Sequence, residues 1–143
     1  MIVSGRFLLQ GMLHEASAGV EALRADLADH APVPDCEAVE LGVAEIVSNI
    51  VRHGYSGRPG PIRIAWTVWR THIVVRVCDC GAPIPRDKLD AAQHASIDFS
   101  ETAIDDLPEG GMGLAFVSRM FHTLDYRSRG RLNRLVASRR LDP

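Results

Sequence analysis

Three stretches of the 143-residue chain carry polar groups at spacings that can do chemistry. Glu45, Asn49 and His53 stand at i, i+4 and i+8, so on one helix they line a single ridge beside an apolar stripe. A carboxylate, an amide oxygen and an imidazole together can hold a hydrated cation and take a proton from a nucleophile. The same ridge also suits a solvated helix edge. The second stretch is Val77-Cys78-Asp79-Cys80-Gly81-Ala82-Pro83, an acid at a strand end followed by a turn. A carboxylate there can accept a hydrogen bond from an exocyclic amine such as that of adenine. Gly81 lets a flat ring approach the backbone without meeting a Cβ. An Asp-x-Gly is also an ordinary turn signal. In the third stretch, Glu109-Gly110-Gly111-Met112-Gly113-Leu114, glycines precede an apolar helix. Free N–H groups and the helix dipole at such a start can cradle phosphate. No Gly-Lys-Ser/Thr follows and no strand leads directly in, so this is neither a P-loop nor a dinucleotide fingerprint. Its plain alternative is a flexible linker.

The elements that position these groups are legible from periodicity. Ile2 to Leu9 reads as a strand, at an edge of its sheet, and His14 to about Ala31 as a helix with Val20, Leu23 and Leu27 at helical spacing. Pro32 and Pro34 are expected to close that helix, with Asp35 as N-cap of the next. The second helix is predicted from about Cys36 to His53, stopping at Gly54, with Val39, Val43, Ile46, Val47, Ile50 and Val51 as its buried stripe. Ile62 to Val68 alternates as a half-buried strand, and Ile73 to Val77 is its hairpin partner. A short helix over Arg86 to His94, a polar loop over His94 to Gly110, a helix over Leu114 to Phe121 and a final hairpin (Leu124 to Ser128, Leu132 to Ser138) complete the chain. Strands clustered in hairpins predict an α+β fold: a two-layer α/β sandwich whose sheet is mixed or antiparallel, with helices on one face.

Composition narrows the function classes. The length suits one domain over residues 1–143, and 46% hydrophobic with 24% charged residues is a globular balance. No apolar run approaches a membrane span, and no basic-then-apolar leader opens the sequence, so the cytoplasm is expected and a membrane role is not. A net charge of −2 argues against direct nucleic-acid binding. Charge is uneven, however. Arg127, Arg129, Arg131, Arg134, Arg139 and Arg140 crowd the C-terminus, and the stretch from Asp98 to Glu109 holds five acids and no base. These are either solvated segments or a surface for a partner. Cys36, Cys78 and Cys80 read as reduced structural thiols, since no cluster of zinc spacing accompanies the Cys-x-Cys pair.

Glu-x-x-x-Asn on a helix, Asp-x-Gly after a strand and Gly-Gly-x-Gly before a helix, in this order, resemble the GHKL (Bergerat) ATP-binding fold of histidine kinases, gyrase B, Hsp90-type chaperones and MutL. The string Glu45-Ile46-Val47-Ser48-Asn49-Ile50-Val51-Arg52-His53-Gly54-Tyr55 is similar to that of the bacterial anti-sigma-factor serine kinases of the RsbW and SpoIIAB type. The resemblance implies ATP and Mg²⁺ as cofactors, Glu45 as general base and Asn49 as the metal ligand. His53 falls beside them and is expected to be a further nucleotide-binding residue. It also implies Asp79 and Gly81 at the adenine, Gly110, Gly111, Met112, Gly113 and Leu114 at the phosphates, and an ATP lid over about 94–110. The implied activity is serine/threonine phosphorylation of a STAS-domain anti-sigma factor antagonist by a protein, commonly a homodimer, that otherwise sequesters a sigma factor. The alternative is a nucleotide-gated binding module without phosphotransfer. Two departures from the family pattern stand out. Glu109 occupies a position that is basic in some relatives, which leaves Lys88 (the only lysine), Arg52 or Arg86 to meet phosphate. No Thr lies between Leu132 and Ser138, so fewer adenine contacts are expected from the last strand.

Overall fold

The structure is a computed structural model and describes residues 1–10, 13–94 and 112–141. The expected lid, with Gly110 and Gly111, lies outside the described residues. The chain runs β1 (Val3–Leu9), α1 (Leu13–Ala28), α2 (Val33–Asn49), a π-helical turn (Ile50–Gly54), β2 (Ile62–Val68), β3 (His72–Asp79), α3 (Arg86–His94), α4 (Met112–Met120), β4 (Thr123–Arg129) and β5 (Leu132–Arg140). The five strands lie in the order β1-β2-β3-β5-β4 with every pair antiparallel, so the sheet is not mixed. β1 takes the edge position that its sequence predicts. Among the described residues no helix is long and apolar enough to cross a membrane.

Alternation along the strands decides which face is covered. In β2 and β3, Ile62, Ile64, Trp66, Val68, Ile73, Val75 and Val77 turn inward and are buried. They pack against Val39, Val43, Ile46 and Val47 of α2, Ile50 and Val51 of the π turn, and Leu23 and Leu27 of α1. Each such side chain removed from water contributes roughly 1.5–3 kcal/mol, which makes this interlayer the main cohesive element. On the opposite face Arg6, Arg63 and Arg134 reach solvent. The C-terminal arginines therefore divide by register: Arg134 is outward, whereas Arg139 is largely buried against the helix layer.

That inward arginine corrects the expected cap. α2 begins at Val33 behind Pro32, which makes no side-chain cap bond, and Pro34 lies inside the first turn, where a missing N–H costs nothing. Pro34 thus opens α2, and α1 ends earlier, at Ala28. Asp35 is not a cap either. Its side chain is buried, and Oδ1 accepts from Arg139 Nε at 2.7 Å. Arg139 Nη1 donates to the carbonyl of Met120 at 2.8 Å. One guanidinium thereby ties the start of α2, the end of α4 and β5. Gly42 serves the same junction, because a Cβ there would fall 2.5 Å from the Phe121 ring.

Arg139→Leu leaves the Asp35 charge buried without its partner. It is expected to lower stability by about 3 kcal/mol, read from the urea midpoint. Adding Asp35→Ala to that variant should recover part of the loss, because the pair is coupled.

Candidate functional site

The segments singled out above converge on one cleft of about 330 Å³. Its apolar walls include Ile46, Ile50, Ile84, Leu114 and Leu135, and its polar side chains include Asn49, His53, Asp79, Lys88 and Tyr126. Flat apolar walls with a few placed polar groups suit a small heteroaromatic ligand.

α2 supplies the first wall. The regular helix stops at Asn49, and the backbone widens into a π turn, with Tyr55 N–H bonded to the Ile50 carbonyl at 2.9 Å. Such turns occur often at functional sites. Here the widened turn changes the expected ridge, because His53 no longer follows Asn49 on a continuous α-helix. Asn49 is half-buried and lines the cleft, and exposed His53 lines its mouth. Glu45 is exposed and does not line the cleft. Its Oε2 lies 3.0 Å from the place a Cβ on Gly113 would take, so the carboxylate sits at the first turn of α4. The positive end of that helix favours an anion there. Leu114 lines the cleft one residue further along, and Met112 begins the helix.

β3 supplies the floor. Asp79 is its last residue and is buried to 6% exposure. Its Oδ1 accepts from Gly81 N–H at 2.9 Å and from Asn133 Nδ2 at 3.0 Å. Gly81 is small for another reason than the one its sequence suggests. A Cβ there would fall 2.6 Å from the Gly54 carbonyl carbon, and Ala82 N–H bonds the Gly54 oxygen at 2.8 Å. The absent side chain lets the β3 exit lie directly on the π turn. Gly81 does not itself line the cleft.

Two tyrosines brace this floor, and sequence reading assigned a role to neither. Tyr55 hydroxyl donates to the Pro61 carbonyl at 2.7 Å and accepts from Cys80 N–H at 2.8 Å. Tyr126, which lines the cleft, accepts from Ile84 N–H at 2.9 Å. Burial pushes both phenols above their ordinary value of 10.0; the backbone N–H each accepts opposes this, and the Asp79 charge adds to it. Asn133 was missed as well. Its only sequence signal is a polar residue two positions before Leu135 and Ala137, which turn inward. Of the proposed phosphate contacts, Lys88 lines the cleft, whereas Arg52 and Arg86 are exposed and do not. Among the described residues no group of three His, Cys, Asp or Glu can hold a metal by itself.

The profile of the histidine kinase-like ATPase domain matches residues 10–139. The chain is 27% identical over 86 residues to the serine-protein kinase RsbW of Bacillus cereus (strain AH820) and to that of Bacillus anthracis (strain CDC 684 / NRRL 3495). Each match covers 60% of this chain and 52% of the relative, so the chain spans about half the length of the curated relatives it matches. The solved structure of the RsbU and RsbW domains of Rv1364c from Mycobacterium tuberculosis has the same fold. Its TM-score is 0.67 at 18% identity, covering 97% of this chain and 32% of that one.

Gly81→Ala should destabilise the protein by about 2 kcal/mol or more, measured by thermal unfolding, because both colliding groups are backbone. Both tyrosines should ionise at higher pH in the folded protein than in denaturant, followed by phenolate absorbance. A raised folded value means that this stabilisation is complete below about pH 10 and lost as pH rises through the folded values.

Proposed function

The chain belongs to the histidine kinase-like ATPase domain family, and on that premise we propose that it binds Mg²⁺-ATP in this cleft and phosphorylates a protein serine or threonine. The partner we assign is a STAS-domain anti-sigma factor antagonist, with a sigma factor as the protein held in the alternative complex. The single observation that carries the reading is convergence. Asn49, Asp79 and Leu114, from three distant stretches, line one cleft, and the Glu45 carboxylate stands at the first turn of the helix that closes it. The kinase names of the curated relatives support it.

The residues divide the work by their chemistry. Asp79 accepts the exocyclic amine of the base, and Ile46, Ile50 and Leu135 enclose the ring. The backbone N–H groups at the start of α4, around Gly113 and Leu114, face developing phosphate charge. Asn49 offers one amide oxygen to magnesium. A lone amide ligand suits a cation that the triphosphate itself brings, because Mg²⁺ normally completes its shell with phosphate oxygens and water. The ion's contribution is to neutralise charge on the phosphates. Glu45 takes the proton of the acceptor hydroxyl. The hydroxyl oxygen bonds to the γ-phosphorus as the bond to the β–γ bridging oxygen breaks, and ADP leaves with that electron pair.

Glu45→Ala is expected to lower phosphotransfer to the STAS protein roughly 10²–10⁴-fold while leaving ATP binding near normal. Asn49→Ala should weaken Mg²⁺-ATP binding and transfer together. Labelled ATP and calorimetry read the two quantities separately. Wild-type transfer rates from Glu45→Ala would remove the base assignment. A wild-type protein that binds ATP but transfers nothing would leave the nucleotide-gated binding module in its place.

A further inference from the structure

We infer that Asn133, held by Ser128, is a positioning residue that makes the cleft select a 6-aminopurine over a 6-oxopurine. The inference rests on the cleft being a nucleotide site and concerns what sets its selectivity. Asp79 pairs directly with Asn133 across β3 and β5, and Asn133 pairs with Ser128 across β5 and β4. The three polar side chains therefore form one row across three adjacent strands. Asn133 is 1% exposed in a strand whose other inward residues include Leu135 and Ala137. A carboxamide in that position is tolerated only if its hydrogen bonds are made.

They are made, and in one orientation. Ser128 Oγ donates to Asn133 Oδ1 at 2.7 Å, which directs the NH₂ group to the other side. There Nδ2 donates to Asp79 Oδ1 at 3.0 Å and to the Gly81 carbonyl at 2.8 Å. Turning the amide over would set its oxygen against the carboxylate and against the Gly81 carbonyl, both of which can only accept. Those two acceptors fix which end of the amide meets Asp79, and the Ser128 hydroxyl holds the other end by donating to Oδ1.

The consequence falls on the ligand side. Asp79 Oδ1 is engaged twice, by Asn133 and by Gly81 N–H. Among the described residues Oδ2 takes no hydrogen bond, and no buried side-chain oxygen there lacks a partner, so Oδ2 opens to the cleft that Asp79 lines. An ionised carboxylate oxygen can only accept. With Oδ1 pinned by two donors, the carboxylate cannot swing Oδ2 away from the cleft. It bonds a ring amine and repels a ring carbonyl. Asn133 does not line the cleft and acts only through Asp79.

The test is calorimetric titration of the wild type, Asn133→Ala, Asn133→Ser and Ser128→Ala with Mg²⁺-ATP and Mg²⁺-ITP, which differ at the 6-substituent. Wild type should prefer ATP by roughly 10–100-fold, the range of a hydrogen bond to a charged group. Asn133→Ala should lose at least about tenfold of that ratio, and Asn133→Ser, which keeps a donor, should regain part of it. Ser128 is exposed, so Ser128→Ala leaves the core intact and keeps the test available if Asn133→Ala does not fold. It should lower the ratio roughly threefold, as the amide loses the bond that steadies its oxygen end. An ATP/ITP ratio that stays at the wild-type value in every folded variant overturns the role of Asn133 while the ATP site stands. A wild-type protein that binds neither nucleotide overturns the site itself, and this inference with it.

Discussion

Burying a carboxylate at the end of an interior strand obliges the surrounding chain to supply donors, and most of the cleft follows from how Asp79 is satisfied. One donor is local, the Gly81 N–H two residues on, and the other comes from β5, 54 residues away. The local donor requires a tight turn immediately after β3. The distant one requires β5 to lie beside β3 at a register that pairs Asp79 with Asn133. Sheet order and turn geometry are thus linked to one charged group. Either bond lost would leave a buried acceptor less well paired, at a cost of about 1–3 kcal/mol.

The turn after β3 is held from two sides. On one side the Gly54 backbone contacts the Gly81 backbone, a proximity that neither residue could permit with a side chain at Gly81. On the other side Tyr126 receives the Ile84 N–H. The π turn has a stated use in this arrangement. It ends the regular helix at Asn49 and brings Gly54 down onto the β3 exit, and Asn49 and Asp79 line the same cleft. The far wall is held by packing and charge instead. α4 is anchored at its C-terminal end by Arg139 and by the Gly42–Phe121 contact, and near its start Leu114 and Ala115 pack with Ile84.

Sheet and helices were largely legible in the sequence because burial imposes a period. Every residue of the predicted helical stripe is buried, as are the alternate residues Ile62, Ile64, Trp66 and Val68 of β2, while Cys36 and Ala38 are buried beyond it. Boundaries fared less well where two signals shared residues. Asp35 has the chemistry of a cap and the spacing of one, yet its partner is Arg139, which lies 104 residues away and leaves no mark near it. The π turn was also hidden, since a widened turn and an α-helix draw on the same residue types.

Residue types and intervals alone determined the layer architecture and nominated Asn49 and Asp79, which share the cleft in the folded chain. Both follow from short-range periodicity and from the chemistry available at helix and strand ends. Only the tertiary structure decided that Gly81 serves backbone contact, that Arg139 turns inward while Arg134 faces solvent, and that Asn133 and Ser128 stand behind Asp79. Those outcomes depend on cross-strand register and on close approach between segments. Such properties arise when distant stretches are brought together, and no local pattern encodes them.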